Sequence, residues 1–275
     1  MSDSLPLQER TAIVTGASSG IGRATAEKLA EAGAHVFLAG RTTSALEALS
    51  TSISNKGGKS TVATVDLRDT HQVEELVTGA VSETGRLDIM INNAGLEFPA
   101  SIIEGNVEEW RSMLDTNVLA LLVGCQAAVK AMRICAADGH VVNISSVSAQ
   151  RSNSGVYGAT KHAVNTISAS LRDELEEDTI RVTNVMPGAT STNFARNFPE
   201  AFVERIINMS GMDVTFEPGQ HLPPKTLDAL SDNLKQMLCS PEDVARAVLF
   251  VVTQPINVNI ADIVVRPPRA MTLPH

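Results

Sequence analysis

Residues 11–22 read TAIVTGASSGIG. Residues 11–15 are apolar or β-branched, the pattern of a short strand buried on both faces. Gly16, Gly20 and Gly22 then interrupt the run, and a helix is expected over residues 20–32, stopped by Gly33. A strand that passes through a glycine-rich turn into a helix is the opening of a βαβ unit. Lacking Cβ atoms, the glycines permit a tight turn and let a pyrophosphate lie against the backbone. The helix N-terminus turns free N–H groups and its positive dipole end toward the same place. A tight turn without a ligand is the competing reading of the glycines taken alone.

Outward from this stretch the alternation continues. Strands are expected at His35–Ala39, Ser60–Val65, Leu87–Ile91, His140–Ile144, Ile180–Val185 and Ile263–Val265. Helices are expected at Ser44–Asn55, around Val73, Leu76, Val77, Ala80 and Val81, along Val107–Ala137, and from Gly155 to about Glu177. Pro241 opens another, with an acidic first turn that suits the helix dipole. Strands separated by helices pair in parallel, and their unbroken Val and Ile content buries both faces. The fold class is a doubly wound α/β parallel sheet of Rossmann type in a single domain over residues 8–266, with terminal tails at 1–7 and 267–275. Residues 189–240 break the rhythm with Pro199, Pro218, Pro223, Pro224, Gly211 and Gly219. A segment this long is usually a binding element, and residues 194–240 are read as a substrate lid. Phe194, Phe198, Phe202, Ile206 and Met209 suggest an apolar helical cover.

The chain has 275 residues, 43% hydrophobic and 19% charged, enough for a sizeable core. Its formal net charge of −9 makes it a poor grip for nucleic-acid phosphates. No stretch of 18 uninterrupted apolar residues appears, so no membrane span is expected. Residues 1–10 lack the basic-then-apolar order of a signal peptide. Cys125, Cys135 and Cys239 form neither a disulfide framework nor a metal cluster, and fit reduced cysteines in a cytoplasmic protein. His71, His140, His221 and His275 show no metal spacing, and His162 is read as an interface or core residue. There is one tyrosine, Tyr157, and one tryptophan, Trp110. If the chemistry needs a phenol, only Tyr157 supplies it.

TGASSGIG resembles the TGxxxGxG turn of the short-chain dehydrogenases/reductases. Asn92-Asn93-Ala94-Gly95, Asn117, Ser145-Ser146, Tyr157-Gly158-Ala159-Thr160-Lys161 and Pro187-Gly188 follow in that family's order. The resemblance covers about residues 8–265. It implies a nicotinamide cofactor, hydride transfer to or from an alcohol or ketone carbon, and a homotetramer or homodimer joined through the helices of Asn117 and Tyr157. It also implies cofactor contacts from Gly16, Ser18, Ser19, Gly20, Ile21, Gly22, Asp66, Leu67, Asn93, Ala94, Gly95, Pro187, Gly188, Thr190 and Thr192, with Asp66 on the adenine. Capping of the next helix competes for Asp66. Asn92 is read as tying strands together.

An acid at the end of the second strand would hold the adenosine ribose and repel a 2′-phosphate. This chain has Arg41 there, followed by Thr42 and Thr43. A guanidinium fork suits a phosphate, so the expected cofactor is NADP(H). A solvated Arg41 in an NAD enzyme is the competing reading.

Tyr157 and Lys161 are one helical turn apart. A free phenol is a poor base at neutral pH, and a nearby ammonium lowers its pKa. Tyr157 is then the general acid/base, with Lys161 tuning it and also touching the nicotinamide ribose. The family's serine holds the substrate oxygen. Aligning Ile144-Ser145-Ser146 with the usual strand end selects Ser146, whereas keeping the family's usual spacing to the tyrosine selects Ser145. Asn117 completes the tetrad by resemblance, supporting a proton relay through water. A helix irregularity at Asn117 is the alternative. The expected function is oxidoreduction of a carbonyl or secondary alcohol with NADP(H). An NAD-dependent alcohol dehydrogenase and a non-catalytic NADP(H)-binding sensor or scaffold are the alternatives.

Overall fold

A computed structural model describes residues 5–269 apart from 199, 215, 216, 218 and 220. Pro199, Pro218, His275 and the outer parts of both tails lie outside the described residues. Seven strands form one parallel sheet: β1 (Thr11–Thr15), β2 (His35–Gly40), β3 (Lys59–Thr64), β4 (Ile89–Asn92), β5 (Gly139–Ile144), β6 (Ile180–Pro187) and β7 (Asp262–Val265). Their spatial order is β3-β2-β1-β4-β5-β6-β7. Between them run α1 (Gly20–Glu31), α2 (Thr43–Asn55), α3 (Thr70–Thr84), α4 (Val107–Leu114), α5 (Ala120–Ile134), α6 (Gly155–Glu174), α7 (Glu200–Met209), α8 (Pro224–Asn233) and α9 (Pro241–Val252).

Strand side chains alternate between two cores, as a period of two requires. Ala12, Val14, Val36, Leu38, Ile89, Ile91 and Val142 face one cluster with Leu29, Leu46, Leu49 and Val248 of α1, α2 and α9. Ile13, Phe37, Met90, Val141 and Val182 face the other, with Leu76, Leu121, Ala128 and Val164 of α3, α5 and α6. Both faces are therefore covered, and ligand access falls to the strand ends. The order of strands reverses between β1 and β4. Crevices at such switch points, outside the carboxyl ends of the strands, are where doubly wound sheets bind ligands.

Three asparagines stand in register across the sheet, Asn92 opposite Asn143 and Asn143 opposite Asn184. Asn92 Nδ2 donates to Asn143 Oδ1 at 2.9 Å, and Asn143 Nδ2 donates to Ser168 Oγ of α6 at 2.9 Å. Asn184 Nδ2 donates to Asn165 Oδ1 of α6 at 3.0 Å. This buried polar ladder fixes α6 against the carboxyl ends of β4, β5 and β6.

The expected single helix along 107–137 is two helices joined by a π turn at Asp115–Leu119. The run Val107–Ile134 is long and apolar enough to cross a bilayer by length and composition. Here it packs against α3 and the sheet, as the core helix of a doubly wound domain does.

Candidate active site

A cleft of about 540 Å³ lies along the carboxyl ends of the strands. The turn after β1 forms its floor, with Gly16 and Gly20 at φ of +67° and +54°. A Cβ on Gly22 would stand 2.4 Å from Asn93 Nδ2 and from the Gly16 carbonyl oxygen. Glycine is therefore required at 22 by packing, before any ligand is considered. What speaks for a ligand is the end of α1. Ser19 stands at its N-cap without a side-chain cap, and no acidic residue lies in its first turn. Asp69, Asn106 and Ser240 cap their helices, whereas α2 and α6 start uncapped like α1. What sets α1 apart is that its first N–H groups meet the glycine turn at the cleft floor, where they suit an anion.

Ser18, Ser19, Gly20, Ile21 and Gly22 line this floor with Gly16. Arg41 and Thr42 line the end beyond β2, with Asp66 and Leu67 beside them. Arg41 makes no hydrogen bond or ion pair with any described residue. Thr43 is turned to Thr64, hydroxyl to hydroxyl at 2.9 Å. Asp66 does not cap α3, a role that Asp69 takes. Its carboxylate instead holds the Arg68 guanidinium, from Nε to Oδ1 at 3.0 Å and from Nη2 to Oδ2 at 2.5 Å, which keeps its pKa low.

Asn93, Ala94 and Gly95 continue the wall. Asn93 Nδ2 donates to the Thr15 carbonyl at 2.8 Å, tying β4 to the glycine turn. A Cβ on Gly95 would stand 3.3 Å from Asn117 Oδ1 and 3.4 Å from Lys161 Nζ. Asn117 itself does not line the cleft. It is buried behind the wall on the π turn, where its Oδ1 accepts from Leu96 N at 2.9 Å. Its Nδ2 donates to the Leu96 carbonyl at 2.9 Å and to Thr160 Oγ1 at 3.1 Å. The helix is irregular at Asn117, as the alternative reading expected, and its side chain is bonded to the walls on either side.

Tyr157 and Lys161 share one face of α6, and both are buried at the cleft. The Ser146 hydroxyl accepts from Ser148 N at 3.1 Å and is near enough to the Tyr157 phenol to act on its pKa. Ser145 Oγ is instead held by the Lys161 carbonyl at 3.0 Å and Asn165 Oδ1 at 2.6 Å. The Lys161 ammonium donates to the Ile144 carbonyl at 2.7 Å and stands 5.9 Å from the centre of the Tyr157 ring. Burial raises the phenol, Glu97 adds to the rise, and Ser146 opposes it. Burial also pulls Lys161 down to about 8 against the attraction of Glu97.

Pro187, Gly188, Thr190 and Thr192 close the cleft from the end of β6. Thr190 Oγ1 donates to the Gly188 carbonyl at 3.0 Å. Thr192 Oγ1 accepts from Phe194 N at 3.2 Å, and its side chain stands over Gly20.

Residues 10–201 match the family model described as short chain dehydrogenase. The chain belongs to the short-chain dehydrogenase family. It is 35% identical over 263 residues to an uncharacterized oxidoreductase of Staphylococcus aureus, across 95% of this chain and 98% of that one. A metagenomic short-chain oxidoreductase solved in complex with NADP has a TM-score of 0.73 at 27% identity, over 95% of this chain and 99% of the other. A short-chain type dehydrogenase/reductase from Mycobacterium marinum has a TM-score of 0.79 at 25% identity, over 96% of each chain. The protein is thus an oxidoreductase of a family that binds a nicotinamide cofactor.

In this short-chain dehydrogenase the lid brings to the cleft Phe194, whose ring lies 5.6 Å from that of Tyr157, and Phe198, Phe202 and Ile206, four of the five residues expected to cover it. Met209, expected among them, is 41% exposed on the outer side of α7. Arg196 and His221 face the cleft from the same segment, and Arg266, Pro267 and Arg269 reach it from the C-terminal side. Arg269 N donates to the Gln236 carbonyl at 2.9 Å, so a stretch expected to be tail is joined to the domain. Arg196 has no ion-pair partner among the described residues. Burial lowers its pKa, and the like charge of Arg41 adds to this. Two guanidiniums, one from the floor and one from the lid, thus face one space, and Arg41 also helps to hold down the pKa of Asp66, whose carboxylate is bonded to Arg68. His162 is exposed, while His140 is buried under the sheet with its pKa pulled down to about 4 by burial and by Arg10 and Arg181.

Proposed function

We propose that this dehydrogenase interconverts a carbonyl compound and its secondary alcohol with NADP(H) as cofactor. The observation that carries the reading is the meeting of Tyr157, Ser146 and Lys161 at one end of a cleft whose floor is the uncapped glycine turn. The bare N-terminus of α1 suits a diphosphate, and Asp66 with Leu67 would flank the adenine. Arg41, with no hydrogen bond or ion pair among the described residues, and the lack of an acid in the stretch Gly40-Arg41-Thr42-Thr43 favour a 2′-phosphate. Arg196 would add a second cation to the phosphates from the lid. The NADP-complexed metagenomic relative supports the same choice.

When bound, the nicotinamide supplies or takes up the hydride. The remaining chemistry is assigned to the chain. Tyr157 is a buried neutral phenol, and it donates its proton to the carbonyl oxygen in reduction and recovers it from the alcohol in oxidation. Ser146 holds that oxygen as charge builds on it. Ser145 is engaged with α6, which favours Ser146 for this role. Lys161 restores the phenol's proton, and a pKa near 8 suits an ammonium that must release one near neutral pH. Asn117 acts as a positioning residue that fixes Leu96 and Thr160. Its closeness to Lys161 around Gly95 supports the relay to solvent. Phe194, Phe198 and Phe202 keep water from the reacting carbon.

Exposed Leu114, Leu119 and Leu122 on the run that bears Asn117 support assembly of copies through that face. A screen of ketones and aldehydes that follows NADPH absorbance tests the function. Tyr157→Phe is expected to bind NADPH like the wild type and to lose turnover by about 100-fold or more. Wild-type turnover in that variant removes the mechanism, and NADPH binding with no turnover of any carbonyl by the wild type leaves the sensor reading.

A further inference from the structure

Two carboxylates line the cleft, Asp66 and Glu97. Asp66 is engaged with Arg68. Glu97 is half-buried, and its carboxyl makes no hydrogen bond or ion pair with any described residue. Its main chain is pinned on both sides. Leu96 exchanges two hydrogen bonds with Asn117, and Asn197 Nδ2 of the lid donates to the Glu97 carbonyl at 3.2 Å. The backbone at Glu97 is therefore held by both the wall and the lid.

Leu96 adjoins it on the wall of the cleft, and the charge it feels is that of Lys161. Lys161 is not its partner, because that ammonium is bonded to the Ile144 carbonyl. Burial lifts the Glu97 pKa to about 7 while Lys161 pulls it down. A partly dry carboxyl with no donor is costly to keep, and the cost is recovered only when a ligand brings a donor. It shares the Tyr157 end of the cleft, where the substrate oxygen is to be held.

We propose that Glu97 reads the substrate, accepting a hydrogen bond from a hydroxyl or an ammonium carried next to the reacting carbonyl. This rests on the oxidoreductase reading and narrows its substrate class to hydroxy- or amino-ketones and the matching diols or amino alcohols. The lid phenyls favour an aromatic or other flat apolar group on the far side of the carbonyl.

Three ketones of nearly equal shape make the test: 2-hydroxyacetophenone, 2-aminoacetophenone and propiophenone, each reduced with NADPH. The wild type is expected to favour at least one donor-bearing ketone over propiophenone by about tenfold or more in kcat/KM, as one hydrogen bond to a charged group allows. Whether the hydroxyl or the amine is favoured identifies the donor. Glu97→Leu is expected to bring the ratio to about one. Glu97→Gln, the conservative replacement, should keep part of a hydroxyl preference and lose an ammonium preference. NADPH binding by fluorescence checks that both variants are folded. Equal handling of the three ketones by the wild type overturns the proposal, failure to turn over any of them included. A preference that survives Glu97→Leu also overturns it. Tyr157-dependent reduction of propiophenone with no preference sinks the Glu97 proposal and leaves the function standing, whereas turnover that survives Tyr157→Phe sinks the function itself.

Discussion

Lys161 weakens the folded state by an amount that depends on pH, and a methionine in its place should reveal it. Burial brings the ammonium from 10.5 down to about 8, so the unfolded chain holds this proton more tightly than the folded one. Below about pH 8 both states are charged and the folded state bears the whole penalty. That penalty is about 3 kcal/mol for a displacement of this size. As pH rises from about 8 to about 10.5 the folded state is already neutral while the unfolded state is still losing its proton, and the penalty fades. It falls to about 1 kcal/mol near pH 9.5. Lys161→Met removes a penalty of about 3 kcal/mol near pH 6.5 and of about 1 kcal/mol near pH 9.5. The variant also strips the Ile144 carbonyl of its donor, a loss of about 1–3 kcal/mol that is nearly the same at both pH values. The absolute change can therefore take either sign, but the difference between the two pH values should be about 2 kcal/mol, with Lys161→Met relatively more stable at the lower pH. Urea unfolding of both proteins at the two pH values measures it. Glu97 titrates near the same site, so the comparison is repeated in a Glu97→Gln background. An equal effect of Lys161→Met at both pH values, or a greater benefit at the higher one, refutes the reasoning.

Arg41→Asp should move the ratio of NADPH to NADH affinity toward NADH by about tenfold or more, since it replaces a phosphate donor by a repelling carboxylate. An unchanged ratio in fluorescence titrations means that Arg41 does not read the phosphate. Arg196→Ala should weaken NADPH binding by about three- to tenfold and leave the urea midpoint nearly unchanged; an unaltered dissociation constant removes the lid guanidinium from the phosphate site. Gly22→Ala forces a Cβ against Asn93 Nδ2 and the Gly16 carbonyl, and should cost about 1–3 kcal/mol in urea unfolding. Gly79→Ala in α3 meets nothing within 4 Å, and should instead stabilise by about 0.5–1 kcal/mol.

Most of the fold was legible because its determinants are local. β-branched runs ending in glycine mark β1 and β2, and Val73, Leu76, Val77 and Ala80 mark the buried face of α3. Boundaries moved where a tertiary bond or a cap decided them. Leu87 is buried but precedes β4, which begins at Ile89, and α6 ends at Glu174 rather than near Glu177. The π turn at Asp115–Leu119 was only half legible. A mid-helix asparagine in an apolar run asks for a reason, but its partners Leu96 and Thr160 lie about 20 and 43 positions away in sequence.

The site divides along the same line. Residues that touch the cleft through a motif were found from spacing, because the motif is itself a piece of local geometry: a turn, a cap position, one face of α6. Asn92, which does not line the cleft, was legible as well, since a polar residue at the end of an apolar strand needs a partner, and it has one in Asn143. Glu97, Arg196 and Arg269 carry no such mark. Each reads in sequence as an ordinary surface charge, and each becomes informative only through what the fold withholds from it. For Glu97 that is a donor, for Arg196 a counter-charge, and for Arg269 a place in a tail. The choice between Ser145 and Ser146 shows the same dependence. The two are neighbours with the same hydroxyl, and spacing favoured either one. Asn165 and the Lys161 carbonyl, both on α6, take the proton of the first hydroxyl, while the second only accepts, from Ser148 N, and acts on the pKa of Tyr157. The ladder that seats α6 therefore also bears on which serine is engaged by that helix, so Asn143→Ala, which removes the bonds to Asn92 and Ser168 without touching the cleft, should lower kcat for any ketone the enzyme reduces while leaving the NADPH dissociation constant nearly unchanged, and an unaltered kcat refutes the link.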